Sequence, residues 1–269
     1  MKVARSVAEA RRALEPTRDQ GQTGFVPTMG ALHRGHVSLL EAARAECAVV
    51  AASVFVNPAQ FRPEEDFDSY PRDEAHDLET LRAAGVDVAF LPTAEELYPP
   101  GFQTWVEVET LSRGLEGDAR PGHFRGVATV CLKLFNVVRP DRAYFGEKDA
   151  QQAAVVARMI QDLHLDIELR LLPTVRDADG VALSSRNAYL TTEEREAARA
   201  LPRALDAGSE AHRGGGDATA AARAVLEREP RLVPEYVEVA QWEGRTVLAA
   251  AVRAGTTHLV DNVVLEDPR

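Results

Sequence analysis

Short apolar runs alternate with amphipathic stretches along the first half of the chain. Residues 24–28, Gly-Phe-Val-Pro-Thr, predict a short strand that ends at a Gly-containing turn. Over 36–46 the apolar positions Val37, Leu39, Leu40 and Ala43 recur at helical spacing, so that stretch predicts a helix. Residues 48–56 are apolar but for Ser53 and rich in β-branched side chains, the pattern of a strand buried on both faces of a parallel sheet. The same reading predicts helices over 77–84, 127–138 and 150–163, and strands over 86–91, 143–145 and 167–175. Alternation of this kind marks βαβ units, and the expected class is α/β, a parallel sheet covered by helices.

The rhythm changes after Pro173. Thr191-Thr192-Glu193-Glu194-Arg195 has the form of a capping box and predicts the start of a long Ala-rich helix running towards His212. Gly214-Gly215-Gly216 is expected to be a hinge, and Asp217 to cap a second Ala-rich helix. Two β-like runs follow at 236–240 and 257–264. The expected division is therefore a larger domain over 1–174 and a smaller α+β domain over 175–269.

Composition adds exclusions. The chain has 269 residues and a formal charge of −11, from 31 Lys and Arg against 42 Asp and Glu. So acidic a chain is a poor non-specific binder of nucleic acid. A phosphate-bearing ligand would need a local basic cluster working against the overall field. Cys47 and Cys131 lie in apolar surroundings without metal-ligand spacing and are expected to be buried thiols. Lys2, Arg5, Glu9, Arg11 and Arg12 leave no apolar stretch for a secretory signal, and no run reaches the ~20 residues of a membrane span. The expectation is a soluble, cytoplasmic protein with no membrane or nucleic-acid partner.

Four segments carry candidate chemistry. Pro27-Thr28-Met29-Gly30-Ala31-Leu32-His33-Arg34-Gly35-His36 lies between the first strand and its helix. Ligands of open α/β sheets bind at strand carboxyl ends, where helix N-termini offer free N–H groups to phosphate oxygens. Two histidines three apart at that point can both face one anion. Tyr144-Phe145-Gly146-Glu147-Lys148-Asp149-Ala150-Gln151-Gln152 also runs from strand to helix; Lys148 is placed to meet a polyphosphate, Asp149 a ribose hydroxyl or metal-bound water, and Gln152 a substrate. Thr174-Val175-Arg176-Asp177 through Leu183-Ser184-Ser185-Arg186-Asn187 is either a phosphate clamp built on Arg186 or a Ser-rich turn ahead of the next helix. In the fourth segment, Asn57 and Gln60 either cap the end of a strand or line a pocket for a small polar acid.

The His-x-Gly-His element resembles the signature of the nucleotidylyltransferase superfamily. The four segments in this order resemble the pantothenate synthetases, the AMP-forming pantoate–β-alanine ligases. That resemblance runs from about Gly24 to Leu190 and takes in Tyr70-Pro71-Arg72, Gly122-His123-Phe124-Arg125-Gly126-Val127 and Arg139-Pro140-Asp141. It implies a Rossmann-like sheet with helices on both faces, a C-terminal lid domain and a homodimer. It also implies condensation of (R)-pantoate with β-alanine, driven by Mg-ATP through a pantoyl adenylate.

By the same resemblance, ATP would be held by Met29, Gly30, Ala31, Leu32, His33, Arg34, Gly35 and His36, and by Gly146, Glu147, Lys148 and Asp149. Val175, Leu183, Ser184, Ser185 and Arg186 would close over the triphosphate. Gln60 and Gln152 would hold pantoate, Gln60 would also meet β-alanine, and Asn57 and Tyr70 would line the pocket more weakly. His33, His36 and Lys148 are the catalytic candidates, with His36 either a proton donor or a charge stabiliser at the phosphates. Leu183 stands where the family often has Met, and His76-Asp77 where an acidic pair is common, so no protein ligand is assigned to Mg²⁺. The competing readings are another nucleotidyl transferase on the same fold and a nucleotide-binding regulator without catalysis.

Overall fold

The computed structural model describes residues 1–242 and 244–265. Six strands run parallel in the first sheet: β1 (Lys2–Ala4), β2 (Thr23–Thr28), β3 (Val49–Val54), β4 (Val88–Phe90), β5 (Arg142–Gly146) and β6 (Glu168–Leu172). Their order is β1-β4-β3-β2-β5-β6. The chain moves outward from β2 through β3 to β4, then restarts on the other side of β2 with β5 and β6. Register is set by pairs such as Phe25 with Ala51 and Phe25 with Ala143.

Alternation along the strands decides which helices cover which face. Phe25, Ala51 and Phe90 point into a core shared with α1 (Val7–Leu14), α6 (His123–Val138) and α7 (Ala150–Asp162). Val26, Val50, Ala52 and Ala89 point the other way, against α2 (Arg34–Glu46) and α3 (Glu74–Ala83). The expected Rossmann-like arrangement, with helices on both faces, is what these two cores make. The short helices α4 (Ala94–Leu97) and α5 (Glu116–Ala119) complete this part of the chain. Both cysteines are buried thiols, and burial pushes Cys131 up to about 12.

β1 and α1 escape the periodicity reading. The charged residues of the first dozen mask a stripe of Ala4, Ala10 and Leu14, all buried, and a Ser6–Glu9 capping box starts the helix.

Two compact units emerge, one of Met1–Glu147 with Val155–Pro173, the other of Lys148–Ala154 with Thr174–Arg269. The second contains α8 (Thr192–Ala198), α9 (Ala200–Arg213), α10 (Ala218–Leu226) and an antiparallel sheet of β7 (Leu232–Trp242), β8 (Arg245–Ala254) and β9 (Thr257–Val264). Glu243 and residues 266–269 of the expected 175–269 domain lie outside the described residues.

Three expectations for this unit need correction. The single helix after Thr191 is two helices divided at Arg199, because Pro202 has no N–H to give the carbonyl of residue 198 and its ring crowds that oxygen. The three glycines are a tight turn rather than a hinge: Gly214, Gly215 and Gly216 donate back to Glu210, His212 and Ala211, with Gly215 in the left-handed region that favours glycine. The two β-like runs are joined by a third strand, β8, whose Leu-Ala-Ala-Ala centre carries no strand signal of its own. Its residues are buried between β7 and β9 all the same.

Pairing of β7 with β8 slips between Pro234 and Tyr236, leaving Glu235 as the extra residue of a bulge. Its carboxylate meets His258 and Arg253, themselves a cross-strand pair. The hydrogen bond from His258, against the opposing effect of burial, brings Glu235 down from 4.5 to about 2. A depressed carboxylate stabilises the fold above its unfolded pKa and loses that contribution as pH falls through the folded one. The Tm advantage of the native chain over Glu235→Gln should therefore shrink as pH falls from 4.5 towards about 2. An advantage that stays constant across that window would show that the pairing contributes nothing.

Candidate active site

Strand order reverses between β2 and β5, so the loops leaving these neighbours diverge and open a crevice at their carboxyl ends. β2 ends at Thr28 and β5 at Gly146, which places the start of both phosphate-binding candidates, Met29 onward and Gly146-Glu147, at this switch point. An added Cβ at Gly146 would meet nothing within 4 Å, so packing does not demand the glycine there.

The turn after β2 is held by its main chain. Thr28 donates its hydroxyl to Ser53 O (2.7 Å) and accepts from Gly30 N (3.2 Å). Gly30 has φ +84, and a Cβ there would stand 2.8 Å from a carboxylate oxygen of Asp77, so both conformation and space require glycine. Asp77 is buried on α3. Its two oxygens accept from Ala31 N (3.1 Å) and Leu32 N (2.8 Å). Burial pushes the Asp77 pKa up, while the amides of Leu32 and Ala31 pull it back.

His33 then caps α2. Its Nδ1 accepts from Gly35 N (3.1 Å), and His36 Nδ1 accepts from His33 N (3.3 Å), a capping box made of two imidazoles. With Nδ1 an acceptor in each ring, the neutral tautomer carries its proton on Nε2. The ring centroids are 4.1 Å apart. Leu32 is buried, Met29, His33 and His36 are half-buried, and Arg34 is exposed.

Asn57 and Gln60 meet in the same unit. Asn57 caps the 3₁₀ turn Pro58–Gln60, and its Oδ1 accepts from Ala59 N (3.3 Å) and from the Tyr98 hydroxyl (2.9 Å). That fixes the amide, since a backbone N–H can only donate. Asn57 Nδ2 must then donate to Gln60 Oε1 (3.0 Å) and to Gly126 O (3.2 Å). Gln60 is left presenting its NH₂, which donates to Met29 Sδ at 3.1 Å. Asn57 is a cap, and through that cap it orients Gln60 as a donor. Tyr70 is buried against Phe61, and Arg72 ties the loop by donating to the carbonyls of Phe67, Asp68 and Tyr70.

The remaining candidates, Lys148, Asp149, Gln152, Val175, Leu183, Ser184, Ser185 and Arg186, belong to the second unit. Lys148 pairs with Asp149 at 3.1 Å. Val175 accepts from Leu183 N (2.9 Å) to close a small loop through Gly180. Ser184 caps the 3₁₀ turn Ser185–Tyr189 by accepting from Arg186 N (3.3 Å), so the Ser-rich turn is real whatever else Arg186 does. Lys148 and Ser184 line one cavity of about 10 Å³, with Asn187 and Asp261 beside them.

Comparison with known proteins decides the family. Residues 2–264 match the pantoate–beta-alanine ligase family. The chain belongs to that family. Its relatives include pantothenate synthetases of Chloroflexus aggregans, 52% identical over 98% of this chain and 100% of the relative, and of Moorella thermoacetica, 50% identical over 99% of each. The crystal structure of the Thermus thermophilus pantothenate synthetase superposes with a TM-score of 0.93, at 47% identity, over 98% of this chain and 99% of the other. A pantoate–beta-alanine ligase from Francisella tularensis, solved in complex with beta-gamma ATP and β-alanine, gives 0.84 at 33% identity, over 98% and 97%.

The residues that motif reading passed over in this family member are those that act on main chain. Asp77 is the clearest, 45 positions away from the amide it receives. Asp77→Asn keeps one acceptor oxygen and Asp77→Ala keeps none. Each amide left unpaired should cost about 1–3 kcal/mol, so urea unfolding should rank the native chain above Asp77→Asn and Asp77→Ala last. Three equal stabilities would refute the pinning.

Proposed function

We propose that this chain condenses (R)-pantoate with β-alanine, consuming ATP and releasing AMP and diphosphate. The carrying observation is the switch point: the two-histidine helix start and the end of β5 open at one crevice, in a chain that belongs to the pantoate–β-alanine ligases. A pantoate carboxylate oxygen attacks the α-phosphorus, and the bond to diphosphate breaks. The amine of β-alanine then attacks the acyl carbon of the pantoyl adenylate, loses a proton and expels AMP. Both steps call for neutralised phosphates and reactants held in line, which makes catalysis chiefly positional and electrostatic.

In this reading Met29 to His36 and Gly146 to Asp149 receive the nucleotide. Val175, Leu183, Ser184, Ser185 and Arg186 close on the triphosphate as a lid. Gln60 and Gln152 hold pantoate, and Gln60 meets β-alanine. Its NH₂, left as the donor end by Asn57 and directed at Met29 Sδ, suits an acceptor such as a carboxylate or hydroxyl oxygen. His33 and His36 act as Nε2–H donors to phosphate oxygens, a role favoured over proton transfer by their Nδ1 caps.

Among the described residues no three His, Cys, Asp or Glu side chains form a group that could hold a metal ion. Asp77 spends both oxygens on backbone amides. In this proposal Mg²⁺ comes with ATP and would neutralise charge on its phosphate oxygens. None of the described helices is long and apolar enough to cross a membrane. Action in the cytoplasm as a homodimer completes the proposal, the dimer being readable by sedimentation.

The deciding assay is diphosphate release from Mg-ATP with (R)-pantoate alone, followed by AMP and pantothenate when β-alanine is added. ATP turnover indifferent to pantoate would hand the site to another nucleotidyl transfer. Lys148→Ala should slow the first step at least ~100-fold with the fold intact, and a near-normal rate would remove Lys148 from the machinery. His36→Gln, whose amide nitrogen can stand in for Nε2, should retain far more activity than His36→Ala. Equal losses in the two variants would favour proton donation instead.

A further inference from the structure

The Gly122–Val127 motif has no task in the reading above, yet it presses on the Gln60 turn. A Cβ on Gly126 would lie 2.2 Å from Ala59 O, so α6 touches the turn backbone to backbone. One turn earlier, His123 Nδ1 meets Gln60 O at 2.9 Å, and Arg120 NH2 reaches the same carbonyl at 3.3 Å. Glu65 holds Arg120 from the far side, at 2.5 Å from NH2 and 3.2 Å from Nε, with Glu116 a further 3.8 Å from NH1.

We propose that Glu65, Arg120 and His123 form a positioning clamp that fixes the Gln60 main chain, and with it the amide that selects the acid substrate. The assignment rests on the pantoate reading of Gln60 given above.

The proton positions follow from the partners. Gln60 O can only accept, so His123 carries its proton on Nδ1, and its Nε2 is the acceptor facing Arg120 NH1 at 3.3 Å. Burial first, and the Arg120 charge second, push His123 down to about 4, so the ring is neutral and keeps this single tautomer. Each member therefore has one orientation: carboxylate, guanidinium, imidazole, carbonyl. An ion pair this shielded, with side chains only 12% and 14% exposed, is weak support for stability, since apolar side chains often do as well. What it supplies is direction. Asn57 sets which end of the Gln60 amide is left to donate, and the clamp sets where that amide stands.

The test is pantoate-dependent diphosphate release by the full chain and three variants. His123→Leu removes the N–H; His123→Asn puts an amide nitrogen where Nδ1 was; Glu65→Gln frees Arg120 from outside the turn. His123→Leu should raise the pantoate KM about tenfold while the ATP KM stays within about twofold. His123→Asn should return the pantoate KM to within about threefold of the native value. Glu65→Gln should shift the same constant alone, and it carries the test if His123→Leu does not fold. An unchanged pantoate KM in the folded variants, a parallel rise in both KM values, or no rescue by His123→Asn would overturn the clamp. A native chain without pantoate dependence would instead sink the functional reading, and the clamp's purpose with it.

Discussion

The parallel pairing of β2 with β5 is the constraint from which the site follows. Strand order reverses at that pair, so the two loops at their carboxyl ends turn away from each other and leave polar groups open. The pairing also forces helix against sheet. A Cβ on Gly24 would stand 3.0 Å from Cys47 Sγ, 3.1 Å from the Tyr144 ring and 3.3 Å from Ala43 Cβ. Only a glycine in β2 lets α2 lie this close, and the Tyr144 hydroxyl donates to Glu46 at the end of the same helix. The direction of α2, and so the placing of its N-terminus, is fixed by strand packing before any ligand chemistry is considered.

Fine placement comes from polar groups rather than apolar ones. Asp77 takes two amides of the turn, Asn57 spends all its hydrogen-bonding capacity around Gln60, and His123 takes the Gln60 carbonyl. Buried polar networks are costly when incomplete and rigid when complete, because the low dielectric that strengthens each bond also penalises each missing one. Apolar packing tolerates small shifts; a carboxylate with an amide on each oxygen does not. The first unit thus uses its cores to form the sheet and its buried polar groups to aim what stands at the sheet's end.

What the sequence makes legible follows the same division. Strong periodicity announces β2, α2, β3, α6 and α7, because an apolar stripe repeats over two or more turns or fills a whole strand. β8 is hidden, since its run of alanines has no preference that survives without neighbours. The break between α8 and α9 depends on one proline inside an otherwise helical pattern. The His-x-Gly-His and Glu-Lys-Asp segments are readable as candidates because each sits at a predictable place, where a strand gives way to a helix. Asp77, Arg120 and His123 are not, because each acts on main chain tens of residues away and needs no local pattern to do so. His123 and Gln60 are 63 positions apart.

One rule then covers both units. The main chain of Ala31 and Leu32 is held by Asp77, and that of Gln60 by His123. In the second unit Asn262, on the last strand, donates to Lys148 O at 2.7 Å. Its neighbour Asp261 is buried and takes Arg176 through both oxygens, at 2.5 and 3.1 Å. Asp77, His123 and Asn262 each grip the peptide group of a candidate site position, whereas Asp261 takes the Arg176 side chain itself. Gripping the peptide sets position without using up the head group, so the Gln60 amide and the Lys148 ammonium keep the chemistry proposed for them. A reaction whose barrier is lowered by placing charge beside phosphate, rather than by forming bonds to the protein, needs that separation of holding from acting. Within the second unit the same logic ties β9 to Lys148, although no motif marks that strand.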